Sequence, residues 1–260
     1  MTKIVAVGGG EIGRPKENGK GFYPIETMPI DREIIRLTSK RNPKLLFIPT
    51  ASGDSKSYFE AVKNYFGKKL KCECNVLYLI NNKLTFSEIR KRVIGSDIIY
   101  VGGGNTLYML NVWKKVGLDK ILHVAYKQNK ILCGVSAGAI CWFRYSTSDS
   151  RPKSGKENYG YIRVAGLDFL PLTVSPHHTR EINRRKALIK IMNRTSGVGI
   201  ALDDCSALEI IDDKYRIISS KKSARAHKVY FKGKNLHYEK IEKSIKFRPL
   251  KELMGRDKVA

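Results

Sequence analysis

The segment Gly134-Val135-Ser136-Ala137-Gly138 matches G-x-S-x-G, a pattern that holds a serine ready for nucleophilic attack. The apolar run Ile131–Val135 precedes the serine, and a second apolar run, Ala139–Phe143, follows it. A strand, a sharp turn and a helix in this order expose the serine Oγ and leave the next backbone N–H free for an oxyanion. The pattern predicts that Ser136 is the nucleophile of an acyl-transfer reaction.

A serine nucleophile needs a base, and two adjacent histidines lie in a suitable place. His177 and His178 directly follow a predicted strand that ends at Pro176. Neighbouring side chains in an extended segment point to opposite sides, so only one of the two can reach Ser136. We expect His177 to be the base, because the fixed φ of Pro176 helps to position it.

The third member of such a site is a carboxylate that orients the imidazole. Asp149 lies between Ser136 and His177, which gives the chain order Ser, Asp, His. Four other carboxylates remain open alternatives: Glu157, Asp168, Asp203 and Asp204.

Two glycine-rich turns follow predicted strands. Gly102-Gly103-Gly104-Asn105-Thr106 opens a helix, and its backbone N–H groups could hold an oxyanion. Gly8–Gly13 formally matches the dinucleotide pattern G-x-G-x-x-G, but no helical period begins before Asp31. We therefore interpret Gly8–Gly13 as a tight turn and not as a nucleotide site.

Short apolar runs alternate with helix-period stretches through most of the chain, which predicts an α/β fold with an open, mostly parallel sheet and helices on both faces. The predicted strands are Ile4–Val7, Leu45–Ile48, Val76–Ile80, Ile98–Val101, Ile131–Val135 and Gly199–Leu202. The predicted helices are Asp31–Ser39, Ser57–Phe66, Thr106–Val116, Leu118–Lys127 and Arg184–Arg194. Ligands of such sheets bind beyond the carboxyl ends of the strands.

The pattern changes near Tyr215, where shorter strands begin. We expect residues 215–260 to form a small antiparallel extension on the sheet edge, within one domain that spans residues 1–260. Residues 214–258 hold fifteen Lys and Arg against four Asp and Glu, in a chain of net charge +25. No nucleic-acid-binding motif accompanies this charge, so we interpret it as a solvated basic surface.

The five cysteines are an odd number, which argues against a secreted disulfide framework, and Cys72-x-Cys74 lacks a second pair at zinc spacing. Residues 1–8 hold only a four-residue apolar run, and no run approaches the ~20 apolar residues of a membrane span. A cytoplasmic protein is the expectation.

Val101–Thr106, Gly134–Ala139, Thr147–Asp149 and Pro176–His178 together resemble the motifs of peptidase E. The resemblance covers about residues 1–215. It implies a class I glutamine-amidotransferase-like fold and the activity of a serine dipeptidase, an α-aspartyl dipeptidase. Carried over by position, it makes Ser136 the nucleophile, His177 the base and Asp149 the acid, with Gly103 and Ala137 supplying the oxyanion N–H groups. It implies no cofactor and no metal.

The resemblance also implies a substrate, a short peptide with an N-terminal aspartate. Its acidic side chain demands a cation, for which Arg144 and Arg180 are the candidates, and Asn105 is assigned to the same binding site. The implied partner is this small acidic peptide, with no specific nucleic acid and no membrane, and with a monomer or homodimer as the assembly. A cyanophycinase-like or other acyl hydrolase and a non-catalytic relative stay open as alternatives.

Overall fold

The computed structural model describes residues 1–16, 18–81, 83–150 and 160–254. Within these ranges the strands β1–β14 are, in chain order, Lys3–Val7, Lys44–Ile48, Glu73–Val76, Ile98–Val101, Ile131–Val135, Phe143–Ser148, Ile162–Ala165, Leu170–Ser175, Gly199–Leu202, Ser206–Ile211, Lys214–Ser219, Ala226–Lys232, Asn235–Ile241 and Arg248–Pro249. The helices α1–α8 are Met28–Arg36, Lys56–Val62, Phe86–Ile94, Thr106–Val116, Leu118–Lys127, Ala137–Ile140, Ile182–Met192 and Leu250–Met254. A π-helical segment, Lys63–Lys69, continues α2.

The first sheet has eight strands in the order β14-β11-β10-β1-β5-β4-β2-β3. The five strands from β1 to β3 in this order pair in parallel, and β10, β11 and β14 add to one edge in antiparallel register. Continuous apolar runs form the parallel strands, because both faces of this part of the sheet are covered. The predicted α/β fold with a mostly parallel sheet is confirmed.

A second sheet of six strands, in the order β13-β12-β9-β8-β6-β7, was not predicted. Its centre, β9-β8-β6, is parallel, and antiparallel strands flank it on both sides. The predicted strand Gly199–Leu202 is β9 and belongs here. The predicted C-terminal extension is antiparallel, but it divides between the sheets: β11 and β14 extend the first, and β12 and β13 extend the second.

Shared clusters of buried apolar side chains show which helices cover each face of the two sheets. Helices α1 and α2 cover one face of the first sheet, where Ile34 and Val62 pack with Phe47. The opposite face packs against α3, α4 and α5 and also against the second sheet, so that Ile4 and Val174 share one core. Helix α7 covers the outer face of the second sheet. No helix within the described residues has the length and apolar composition needed to cross a membrane.

The sequence-based prediction missed or misplaced several elements, of which β3 and α3 are neighbours in the chain. The strand predicted at Val76–Ile80 lies earlier, as β3 at Glu73–Val76. Helix α3 was missed, although its first turn carries a capping box: Thr85 Oγ1 accepts from the Glu88 N–H, and the Glu88 carboxylate accepts from the Thr85 N–H at 2.7 Å. The T-x-x-E spacing was the available signal.

A fully buried carboxyl group, Asp31, lies in α1 beneath the first sheet. Its Oδ2 accepts hydrogen bonds from the Thr27 hydroxyl at 2.7 Å and from the Tyr65 hydroxyl at 2.8 Å. Burial outweighs these two bonds and raises the pKa of Asp31 from 3.8 to about 7. The folded state therefore binds the Asp31 proton more tightly than the unfolded chain does.

This difference predicts how stability changes with pH. The penalty for ionising Asp31 is absent below the unfolded pKa of 3.8 and grows until the pH passes about 7. Asp31→Asn keeps the acceptor for Thr27 and Tyr65 and cannot ionise. Relative to Asp31→Asn, the wild-type protein should lose about 2–3 kcal/mol of unfolding free energy between pH 5 and pH 8. Urea unfolding at both pH values measures this difference, and a constant difference would contradict the prediction.

Candidate active site

Ser136 lies between β5 and α6 in a backbone conformation that residues other than glycine rarely adopt, with φ +56° and ψ −113°. The two flanking glycines make this turn possible. A Cβ on Gly134 would lie 2.5 Å from the Val101 carbonyl oxygen, and a Cβ on Gly138 would collide with the same oxygen. The glycines of G-x-S-x-G are therefore required by the close approach of the turn to β4, and the turn presents Ser136 at the carboxyl end of β5.

His177 is the histidine that meets this serine. Its Nε2 lies 2.9 Å from Ser136 Oγ. His177 follows β8 and has φ +50°, so the segment is not extended as the sequence suggested. Its N–H donates to the Gly8 carbonyl at 3.0 Å, which fixes the turn against the end of β1.

The carboxylate beside His177 is that of Asp204. Its Oδ1 lies 2.5 Å from His177 Nδ1, so serine, imidazole and carboxylate form one continuous hydrogen-bonded chain. Asp204 comes just after β9, and β9 is the parallel neighbour of β8. Because parallel strands end at the same edge, the residues after β8 and β9 meet there.

The structure corrects the predicted placement of Asp149: Asp204, and not Asp149, lies beside His177. Asp149 follows β6, its side chain is exposed, and among the described residues no hydrogen bond or ion pair joins it to His177. Of the other candidates, Asp168 pairs with Arg144, and Asp203 accepts from the Arg225 N–H at 2.9 Å. Glu157 lies outside the described residues.

The turn Gly8–Gly10 encloses the histidine–carboxylate pair. A Cβ on Gly9 would collide with the Asp204 carboxylate and lie 2.5 Å from His177 Nδ1. The Gly9 carbonyl also accepts from the Cys205 N–H at 2.8 Å, next to Asp204. The first helix begins only at Met28, so the tight turn has no helix behind it for a pyrophosphate.

The surroundings of Asp204 favour its charged form. Burial alone would raise its pKa, but the hydrogen bond from His177 and the nearby Arg180 guanidinium outweigh burial and lower it. Arg180 Nη1 lies 3.3 Å from Asp204 Oδ2. An ionised carboxylate can hold the Nδ1–H tautomer of His177, which leaves Nε2 free to accept a proton from Ser136.

The two backbone groups expected to hold an oxyanion flank the serine. Ala137 is the first residue of α6, so its N–H has no carbonyl one turn earlier to bond. Gly103 follows β4, and a Cβ placed on it would lie 3.3 Å from Ser136 Cβ. The Gly103 N–H donates to the Tyr58 hydroxyl across 3.4 Å, a long bond.

An open cavity of about 590 Å³ lies in front of Ser136 and His177. Its walls are partly apolar, with Ile12, Pro15, Tyr58, Tyr100 and Val135, and partly charged, with Glu11, Arg14, Lys16 and Arg180. Arg14 holds Glu11 in a two-pronged ion pair at 2.9 and 3.0 Å. With three cationic side chains and one carboxylate, the cavity lining carries a net positive charge.

Two of the three residues predicted to bind substrate lie elsewhere. Arg144 is near the amino end of β6, whereas His177 follows the carboxyl end of the parallel strand β8. Arg144 pairs with Asp168 at 2.9 Å. Asn105 caps α4 by accepting from the Tyr108 N–H at 2.9 Å, and its amide donates to the Ser150 carbonyl. Only Arg180 lines the cavity, and its side chain is 69% exposed.

The neighbouring histidine, His178, points away from the serine. Its Nε2 lies 2.6 Å from the Tyr238 hydroxyl, under β13. Burial, followed by the positive charges of nearby side chains, lowers the pKa of His178 to about 4. His178 is therefore neutral at neutral pH and bonds Tyr238 instead of Ser136.

An elbow serine, a histidine at hydrogen-bond distance and a carboxylate behind it, on an α/β fold, are the arrangement found in serine hydrolases. Residues 24–218 match the model of Peptidase family S51. Uncharacterized peptidase YgaJ of Bacillus subtilis is 35% identical over 231 residues, covering 88% of this chain and 92% of that protein. The chain belongs to Peptidase family S51 and is a peptidase of the peptidase E type.

Two solved structures share the fold. A peptidase from an acI-B1 actinobacterium superposes with a TM-score of 0.67 at 17% identity, over 96% of this chain and 97% of that one. A putative peptidase E protein from Listeria monocytogenes superposes with a TM-score of 0.60 at 20% identity, over 84% of this chain and 98% of that one.

The choice of carboxylate can be tested with a matched pair of variants. Asp204→Asn removes the charge behind His177 and favours the wrong tautomer, so kcat should fall about 10³–10⁴-fold. Asp149→Asn, an equal change at an exposed position, should leave kcat nearly unchanged. Steady-state kinetics on an aspartyl dipeptide would measure both variants. Inactivation by Asp149→Asn with an active Asp204→Asn would restore the original assignment.

Proposed function

We propose that this protein is a serine peptidase that releases N-terminal aspartate from short peptides by acyl transfer. The observation that carries the proposal is the hydrogen-bonded chain from Ser136 Oγ through His177 to Asp204, built on a strained elbow at the edge of an open cavity. Membership of Peptidase family S51 supports the peptidase activity.

In the proposed mechanism Ser136 Oγ attacks the carbonyl carbon of the aspartyl residue while His177 Nε2 takes the serine proton. The carbonyl π electrons move to oxygen, and the N–H groups of Gly103 and Ala137 stabilise the resulting oxyanion. His177 then gives the proton to the departing amine, the C–N bond breaks, and an aspartyl-enzyme ester remains. Water, deprotonated by His177, hydrolyses this ester and restores Ser136.

The side-chain carboxylate of the substrate is assigned to Arg180. Arg180 lines the cavity beside His177, and its planar guanidinium can bond both oxygens of a carboxylate. Lys16 adds positive charge to the same cavity wall. The net positive charge of the cavity lining favours a substrate whose N-terminal residue is acidic over one whose N-terminal residue is neutral.

The nucleophile and base are tested together. Ser136→Ala and His177→Ala should each lower kcat at least ~10³-fold, and a serine-directed fluorophosphonate should label Ser136 alone. His178→Ala is the matched control, because His178 bonds Tyr238 and should not affect the reaction. Labelled-peptide mass spectrometry and dipeptide kinetics would measure these effects. Turnover by Ser136→Ala at the wild-type rate would contradict the proposal.

The specificity residue is tested by comparing two arginines. Arg180→Gln should lower kcat/KM about tenfold for Asp-Xaa relative to Asn-Xaa, since one charge-assisted contact is lost. Arg144→Gln removes an equal charge far from the cavity and should leave the ratio unchanged. Because Arg180 also touches Asp204, the ratio between the two substrates is the measurement, and not the absolute rate. An unchanged ratio in Arg180→Gln would exclude it as the specificity residue.

A substrate panel separates this function from its alternatives. Asp-Xaa, isoaspartyl-Xaa and β-Asp-Arg dipeptides, offered at equal concentration, distinguish an α-aspartyl dipeptidase from an isoaspartyl or cyanophycinase-like hydrolase. We expect Asp-Xaa to be cleaved with the highest kcat/KM. Preferred cleavage of β-Asp-Arg would assign the same catalytic residues to the cyanophycinase-like reaction.

A further inference from the structure

A tyrosine that the sequence analysis did not select lies beside Gly103, one of the two predicted oxyanion donors. Tyr58 is the third residue of α2, and its hydroxyl accepts the Gly103 N–H hydrogen bond at 3.4 Å. It lines the cavity together with Ser136 and His177. A Cβ on Gly103 would lie only 3.3 Å from Ser136 Cβ, so a carbonyl oxygen bonded by the Gly103 N–H during attack by Ser136 would lie next to the Tyr58 hydroxyl.

The ring of Tyr58 is held in place on several sides. Phe47 packs against it edge to face, with 5.0 Å between ring centroids. Gly102 lies so close that a Cβ there would be 3.0 Å from the Tyr58 ring. Ser55 caps α2 by accepting the Tyr58 N–H at 3.2 Å. The hydroxyl is therefore preorganised, as an oxyanion donor must be.

The direction of the hydrogen bond leaves the Tyr58 proton free. Gly103 N–H is the donor, so the Tyr58 oxygen is the acceptor and its own hydrogen must point elsewhere. Within the part of the chain that the structure describes, no acceptor receives that hydrogen. Burial raises the pKa of Tyr58, which keeps the phenol protonated at neutral pH.

We propose that the Tyr58 hydroxyl is a catalytic group that donates a third hydrogen bond to the oxyanion, beside Gly103 and Ala137. Before the reaction Tyr58 holds the Gly103 N–H in position. When Ser136 Oγ bonds to the carbonyl carbon and the π electrons move to oxygen, that oxygen accepts from the Gly103 N–H and also from the Tyr58 hydroxyl, whose hydrogen rotates about the C–O bond while the ring stays fixed. The proton stays on Tyr58 throughout, and no further group is oxidised or reduced.

Such a contact would act on the transition state more than on the bound substrate. A neutral carbonyl is a weaker acceptor than an oxyanion, so the Tyr58 hydrogen bond strengthens as charge develops. Its removal should therefore lower kcat and leave KM nearly unchanged. If the Tyr58 hydroxyl had only a structural role, its removal would change the stability of the protein and would have little effect on kcat.

This inference rests on the proposed function and is tested with Tyr58→Phe, which keeps the ring and its packing. Its kcat for Asp-Xaa should fall about 10–100-fold with KM within about twofold, because one oxyanion donor is lost. Binding of the boronic acid analogue of aspartate, which forms a tetrahedral adduct with the serine, should weaken by a similar factor. Binding of free aspartate, which forms no adduct, should be unaffected.

Tyr126→Phe is the matched control, because its hydroxyl bonds the Phe169 carbonyl away from the cavity. It should keep wild-type kcat, and thermal denaturation would verify the fold of both variants. Wild-type kcat and wild-type boronate affinity in folded Tyr58→Phe would overturn the role of Tyr58. Equal weakening of boronate and aspartate binding would also overturn it, in favour of a ground-state contact. If Ser136→Ala retained activity, the proposed function would fail instead.

Discussion

The close approach of the Ser136 turn to strand β4 is the constraint on which the rest of the site depends. A residue with a side chain at Gly134 or Gly138 would push the turn away from the Val101 carbonyl. Without that approach Ser136 could not keep a positive φ, and its Oγ would not face the cavity. The same approach brings Gly103 against Ser136, so one packing contact positions both the proposed nucleophile and a proposed oxyanion donor.

The end of β1 connects this turn to the other half of the site. The Val7 carbonyl accepts from the Ser136 N–H at 3.2 Å, and the next two carbonyls, Gly8 and Gly9, accept from His177 and Cys205. Three successive backbone carbonyls thus hold Ser136, His177 and the residue next to Asp204. The glycine-rich sequence that resembles a nucleotide-binding turn is explained by this role, because a Cβ at Gly9 would displace the Asp204–His177 hydrogen bond.

What could be predicted from the sequence depended on local information. The Ser136 turn and the choice of His177 follow from short motifs with their flanking strands, and the structure places both residues together. Asp204 could not be chosen in the same way, because it depends on which strands are neighbours. The available signal was that polar residues follow both strands, His177 and His178 after β8 and Asp203 and Asp204 after β9. Using it required knowing that the two strands pair in parallel in a second sheet, which apolar patterning does not reveal.

The distance from Ser136 to His177 is set by the packing of two sheets, since β5 carries the serine and β8 and β9 carry the histidine and the carboxylate. The two sheets share one core, in which Ala6 and Leu132 from the first sheet are buried with Val174 and Ile200 from the second. A close-packed core transmits small changes in volume to its edges. Ser136 and His177 therefore stay within 2.9 Å only while the sheets keep their separation, so the shared core is as much part of the site as the glycine turns are.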